Sequence, residues 1–220
     1  MQISSDGIPV VMHDPDVRRT TDGSGEIASM TFSELRELDA GARFTTDNGK
    51  TFPYRGKGHR LPSFDEVLEA FPSTPMLIEL KTRAASVAVR RSIEAHRAEA
   101  RVVVDSFDGL ALGVFTDSNI PVGASRREVI RLMREVLLGF PLTPFAYRAL
   151  CVPMSYRGIR VPIRRFAKVA RAQNCVVHIW TINDPASATK LWRDGVQGIV
   201  TDDPAIMLRA RERLSVPSLD

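Results

Sequence analysis

Residues 75–81 read Pro75-Met76-Leu77-Ile78-Glu79-Leu80-Lys81, and the fold turns on this stretch. Four apolar residues in a row predict a strand buried on both faces, the kind found in parallel sheets. A carboxylate and an ammonium then stand at i and i+2. Alternation along a strand sets Glu79 and Lys81 on the same face. Neither charge settles in a dry interior without a partner or a bound group. A strand end with a mutually paired Glu and Lys satisfies that requirement. So does a polar site built at the carboxyl end of a buried strand.

Outward from this strand the chain is periodic. A helix over 84–99 follows, then the apolar strand 101–107, a helical stretch near 108–116 and a short strand over 121–124. Next come an amphipathic helix over 126–138, a strand over 149–153, a helix over 162–173 and a strand over 176–181. A helix over 185–194, a strand over 198–201 and a helix over 204–213 complete the series. Six alternations of strand and helix predict a parallel sheet with crossover helices. An open doubly wound sheet would carry a Gly-rich phosphate loop after an early strand, and none is present. The expected fold is therefore an α/β barrel of the (β/α)8 type, in which chemistry sits at the carboxyl ends of strands. Glu79, Lys81, Ser106 and Trp180 all fall there.

The amino-terminal part reads differently. Met1-Gln2-Ile3-Ser4-Ser5 and Ile8-Pro9-Val10-Val11-Met12 flank Asp6-Gly7, the pattern of a hairpin ending at His13-Asp14-Pro15. Thr31 and Glu34 form a capping box for a helix to Leu38, and Ser63 and Glu66 another for a helix presenting Phe64, Val67, Leu68 and Phe71 on one face. Between them, residues 40–60 carry four glycines among charges and read as a long loop.

Of 220 residues, 44% are apolar and 25% charged, with a formal net charge of +4. This is the composition of a soluble globule. No apolar run approaches the ~20 residues of a membrane span. No single basic block appears, which argues for small anionic ligands and against a nucleic-acid surface. Arg126, Arg127, Arg131 and Arg134 flank an apolar run reaching Leu137, Leu138 and Phe140. A helix packed on its strand accounts for residues 126–145, with membrane association as the alternative. Cys151 and Cys175 lie in apolar segments and are expected as buried free thiols. No composition shift splits the chain, so a single domain over 1–214 with a tail at 215–220 is expected.

Six segments together resemble the glycerophosphodiester phosphodiesterase family. They are Ser5-Asp6-Gly7-Ile8-Pro9-Val10-Val11-Met12-His13-Asp14, Leu61-Pro62-Ser63-Phe64-Asp65-Glu66-Val67-Leu68, Ile78-Glu79-Leu80-Lys81, Ser106-Phe107, His178-Ile179-Trp180-Thr181-Ile182-Asn183-Asp184 and Gly195-Val196-Gln197-Gly198-Ile199-Val200-Thr201-Asp202-Asp203-Pro204. The resemblance implies a (β/α)8 barrel that hydrolyses glycerophosphodiesters to glycerol 3-phosphate and an alcohol. It implies His13 as a catalytic histidine, Lys81 as a phosphate contact, Trp180 as an aromatic lining the substrate pocket and Glu79 as a metal ligand. A hard cation, Mg²⁺ or Ca²⁺, is the implied cofactor. His178 reads as structural, His59 and His96 as solvated, and Asp202 as the cap of the last helix. The alternatives are a non-catalytic binding module of the same fold and a related phospholipase-like barrel phosphodiesterase.

The family pattern also opens with a strand ending in His-Arg, a helix, and a second strand carrying Glu-x-Asp. None of these occurs in this sequence. The expectation is a barrel lacking its first strand, first helix and most of its second strand, with Met1 not the natural start. A single family carboxylate would bind the cation weakly and leave hydrolysis impaired, because such ions take several oxygen ligands. Gln197 stands where the family has aspartate, and Asn174 where it often has glycine. A cytoplasmic enzyme is expected, with small-molecule substrates and no nucleic-acid partner.

Overall fold

The computed structural model describes residues 1–215. Its contacts fall into two compact units, the first Met1–Pro121 and the second beginning at Val122.

In the first unit, β1 (Gln2–Ile3) and β2 (Pro9–Val10) pair antiparallel, with Gln2 opposite Val10. Gly7 makes the turn at a φ of 82°, a conformation open to glycine at no steric cost. A 3₁₀ turn at Ile27–Ser29 precedes α1 (Phe32–Glu37), which begins at the Thr31–Glu34 capping box. Val10, Val17, Ile27, Leu35 and Leu61 close a small core beneath these elements. Residues 40–60 hold neither helix nor strand.

α2 (Phe64–Ala70) starts at the Ser63–Glu66 box and buries Phe64 and Leu68. Phe71, expected on the same buried face, is exposed instead. Pro72 disfavours helical backbone at the residue before it, so Phe71 ends the helix at a ψ of 64°.

β3 (Met76–Glu79) runs parallel to β4 (Val102–Asp105), with Glu79 opposite Asp105. The strand is not buried on both faces. Leu77 is 36% exposed, and Met76 and Ile78 are half-buried. The cause is a missing neighbour: among the described residues no third strand joins this two-stranded sheet. Met1 touches that free edge at its end, where its amino group donates to the Glu79 carbonyl and Lys81 N–H donates to Met1 O at 3.0 Å. A 3₁₀ turn at Arg83–Ala85, α3 (Ser86–Ala95) and, after β4, α4 (Gly109–Gly113) complete the unit.

The second unit opens with bridge residues at Val122 and Gly123, Gly123 pairing parallel with Ala149, where a short strand was expected. It continues with α5 (Arg126–Leu138), β5 (Ala149–Pro153) and a hairpin of β6 (Ser155–Tyr156) and β7 (Ile159–Arg160). The hairpin has no counterpart in the sequence reading. Its two-residue turn, Arg157-Gly158, places both residues at positive φ, 49° and 80°. That is the backbone of a type I′ turn, but arginine stands where asparagine or aspartate gives the sequence signal. α6 (Ile163–Ala172), β8 (Val176–Trp180), α7 (Pro185–Arg193), β9 (Gly198–Ile199) and α8 (Pro204–Ser215) follow.

β5, β8 and β9 form one parallel sheet in that order. Leu132, Leu150, Val152, Phe166, Val177, Ile179 and Leu191 fill the core between this sheet and its helices. Asn174 adopts a left-handed φ of 52°, a conformation that asparagine tolerates in place of glycine. Gln197 Oε1 accepts from the Val177 N–H at 2.8 Å and so extends the ladder beside β8. The cap of α8 is Asp203, not Asp202: Asp203 Oδ1 accepts from Ile206 N–H at 3.0 Å, while Asp202 accepts from the Asn183 amide at 2.7 Å. Cys151 and Cys175 are buried free thiols, and burial pushes the Cys175 thiol up to about 12.

Candidate active site

β3 delivers Glu79 and, two residues on, Lys81 to one face, while Leu80 between them turns inward at 2% exposure. This is the alternation read from the sequence. Lys81 Nζ lies 2.5 Å from Glu79 Oε2 and 3.1 Å from His13 Nε2. An ammonium group only donates, so His13 accepts at Nε2. The other ring nitrogen then carries the proton and donates to Asp14 Oδ1 at 2.7 Å. The second Asp14 oxygen accepts from Arg19 Nε. That hydrogen bond, and then the one from His13, holds the Asp14 carboxyl down at about 2. The acid–base face of His13 is thereby fixed from behind by an ionised carboxylate across all ordinary pH.

His13 is set in place through the backbone as well. Gln2 Nε2 donates to the His13 carbonyl at 3.1 Å, tying the end of the hairpin to β1. The imidazole itself is 71% exposed, so a ligand can reach it. It opens into a cavity of about 460 Å³ lined by Gln2, His13, Asp14, Lys81 and Thr82 among others. Glu79 pairs with Lys81 and is not part of the lining.

Three of the four expected site residues, His13, Glu79 and Lys81, thus meet in the first unit. Trp180 ends β8 in the second unit and is half-buried there. Ser106, at the end of β4, serves the backbone: its hydroxyl donates to Leu80 O at 3.0 Å and accepts from Asp108 N–H. Asp14 and Arg19 were missed. The signal for Asp14 was its place directly after His13, and Arg19 offered none. His59 is a solvated loop residue, edge-on to Tyr54. His96 is not solvated in the way expected, because its Nε2 lies 3.1 Å from Asp65 Oδ1.

The donor set does not fit a tightly held Mg²⁺ or Ca²⁺. Among the described residues no group of three or more His, Cys, Asp or Glu side chains could hold a metal ion. Glu79 is engaged by Lys81, and Asp14 by His13 and Arg19. Hard cations take six or more oxygen ligands, with Mg²⁺ keeping several waters.

A model of the glycerophosphoryl diester phosphodiesterase family matches residues 1–206. A glycerophosphodiester phosphodiesterase of Caldanaerobacter subterraneus is 24% identical over 226 residues, covering 94% of this chain and 82% of its own. Among solved structures, the glycerophosphoryl diester phosphodiesterase domain of an uncharacterised Mycobacterium tuberculosis protein superposes with a TM-score of 0.81. It is 20% identical and covers 96% of this chain and 85% of that one. An Oleispira antarctica phosphodiesterase in complex with its product sn-glycerol-3-phosphate superposes with a TM-score of 0.73. It is 24% identical over 96% of this chain and 82% of that one. The shared fold is the (β/α)8 barrel.

Proposed function

Since this chain belongs to the glycerophosphoryl diester phosphodiesterase family, we propose that it hydrolyses glycerophosphodiesters to glycerol 3-phosphate and an alcohol at the His13–Lys81 cavity. The single observation that carries this reading is the 3.1 Å approach of Lys81 Nζ to His13 Nε2 at the mouth of an open cavity. One group offers a fixed positive charge and the other a movable proton, both aimed at the same space.

A phosphodiester is anionic and a poor electrophile, so charge on its non-bridging oxygens must be neutralised before water can add at phosphorus. Lys81 supplies that charge. With substrate bound, Lys81 turns from His13 Nε2 to the phosphate oxygens. Nε2, protonated in its place, gives its proton to the departing alkoxide as the P–O bond breaks, while the proton lost by the attacking water passes to solvent, which recharges the ring. Asp14 keeps Nδ1–H engaged and stabilises the ring while it is charged. Glu79 positions Lys81. Trp180 is proposed as a substrate contact on the evidence of its motif alone.

The reading is tested with glycerophosphocholine and an enzymatic readout of glycerol 3-phosphate. The wild-type chain releases it slowly, and Lys81→Met, which keeps the stem length but not the charge, lowers the rate by about 10²-fold or more. No release above the buffer rate, or an unchanged rate in Lys81→Met, refutes it.

Glu79 is held by Lys81, and among the described residues no group of three or more His, Cys, Asp or Glu side chains could hold a metal ion. Millimolar Mg²⁺ or Ca²⁺ therefore leaves the melting temperature unchanged. Binding to the native state raises stability by RT ln(1 + [L]/Kd), so a tight site would show a shift of several degrees. Such a shift would contradict this expectation.

A further inference from the structure

We propose that the outward face of α5 and the turn after it dock the protein onto the surface of an anionic phospholipid bilayer. This goes beyond the catalytic reading and does not depend on it.

The helix carries two apolar sets, and packing uses one. Val129, Leu132, Met133 and Val136 belong to the core of the second unit. Ile130, Leu137, Leu138, Phe140 and Leu142 remain exposed, Leu138 at 64%. A helix packed on a sheet needs a single apolar stripe, so the second set is surplus to folding. Contiguous exposed apolar surface marks a surface that meets something else.

The charges on the same segment are sorted by sign. Both carboxylates are used internally. Glu128 Oε2 accepts from the Ser125 N–H and hydroxyl at 2.7 Å each. Glu135 is 7% exposed and accepts from the Thr143 N–H and hydroxyl, at 3.2 and 2.5 Å. That second pair also fastens the turn after Gly139 to the helix, with Phe140 and Leu142 left on the outside. The arginines point outward. Arg127, Arg131 and Arg134 line a groove of about 370 Å³ with Ile130, Phe140 and Pro141. Among the described residues Arg127 and Arg134 form no ion pair, and Arg131 Nε is 3.9 Å from Glu135.

Cationic and apolar side chains on one exposed helix face match a lipid headgroup region, where anionic phosphates and acyl chains lie within ~5–10 Å of each other. No helix of the described residues is long and apolar enough to cross a membrane, so the segment would lie in the surface plane. A nucleic acid would answer the arginines but not Leu138 or Phe140. A second copy of the chain would set arginines against arginines.

The test is flotation of the full chain with phosphatidylcholine vesicles, with and without phosphatidylglycerol. Two variants isolate the two features: Arg127→Gln/Arg131→Gln/Arg134→Gln and Leu138→Ser/Phe140→Ser. All five positions are exposed, and circular dichroism checks each fold. The wild type floats with phosphatidylglycerol vesicles, less so as salt rises, and does not float with phosphatidylcholine alone. Each arginine near an anionic surface is worth roughly fivefold in affinity, so the triple variant loses on the order of a hundredfold. The double variant also loses binding. The proposal fails if the wild type ignores anionic vesicles at low salt, binds neutral vesicles equally, or binds as well in either variant. It also fails if the face instead mediates self-association or capture of an acidic soluble protein without vesicle binding.

Discussion

Replacing His13 with Ala lowers kcat for glycerophosphodiester hydrolysis by about 10²- to 10⁴-fold, the range for loss of a positioned proton donor. The expectation follows from three contacts. Lys81 fixes Nε2 as the working nitrogen at 3.1 Å, Asp14 fixes Nδ1 at 2.7 Å, and Arg19 fixes Asp14. A side chain 71% exposed contributes little packing, so the melting temperature of His13→Ala stays near that of wild type. Lys81 retains Glu79 as a partner at 2.5 Å, which leaves the phosphate-facing charge in place. The loss therefore falls on kcat rather than KM. Exogenous imidazole recovers part of the rate, because the cavity behind the missing ring is open to solvent. A variant with wild-type kcat would remove His13 from the chemistry. A fall in KM-linked binding alone would make it a substrate contact.

Much of this site was legible from alternation and from motif order. Glu79 and Lys81 share a face because strand side chains alternate with a period of two. The adjacency of His13 to the end of a hairpin was likewise set by Asp6-Gly7. What could not be read is how the pair is used. Sequence spacing says that Glu79 and Lys81 can meet, but not that Lys81 also reaches across 68 positions to His13. The support from Arg19 crosses a loop with no periodicity and left no pattern to read. In the fold, long periodic helices were recovered closely, while short pieces were lost. The hairpin at Ser155–Arg160 has two-residue strands, too short for alternation to register. The burial of residues 76–78 was overstated because apolar composition reports what a strand prefers, not how many neighbours it finds.

Replacing Gly198 with Ala destabilises the second unit by about 1–3 kcal/mol, the usual range for overpacking a filled site. Gly198 on β9 pairs with His178 on β8, and the imidazole lies over the glycine. A Cβ added at Gly198 would meet His178 Cδ2 at 1.9 Å, Nε2 at 2.6 Å and Cγ at 2.9 Å. Three ring atoms at such distances cannot be relieved by bending one flexible end, so the ring or the strand must shift. At roughly 2–4 °C per kcal/mol for a chain of this size, the melting temperature falls by several degrees. His178→Ala/Gly198→Ala restores part of the loss relative to the sum of the single changes, since the clash then has no ring to meet. Additive losses in that cycle would dismiss the packing account. The same ring has a pH signature. Burial lowers the His178 pKa below its ordinary value, and Nδ1 lies buried without a hydrogen-bond partner. The unfolded chain therefore takes up the proton more readily than the folded one. Stability from this group is present above about pH 6.5 and is lost as pH falls through the depressed folded value. The melting temperature of wild type accordingly drops more steeply on acidification from about pH 7 to 5 than that of His178→Ala. Parallel pH profiles would place the ring in solvent, contrary to the geometry around Gly198.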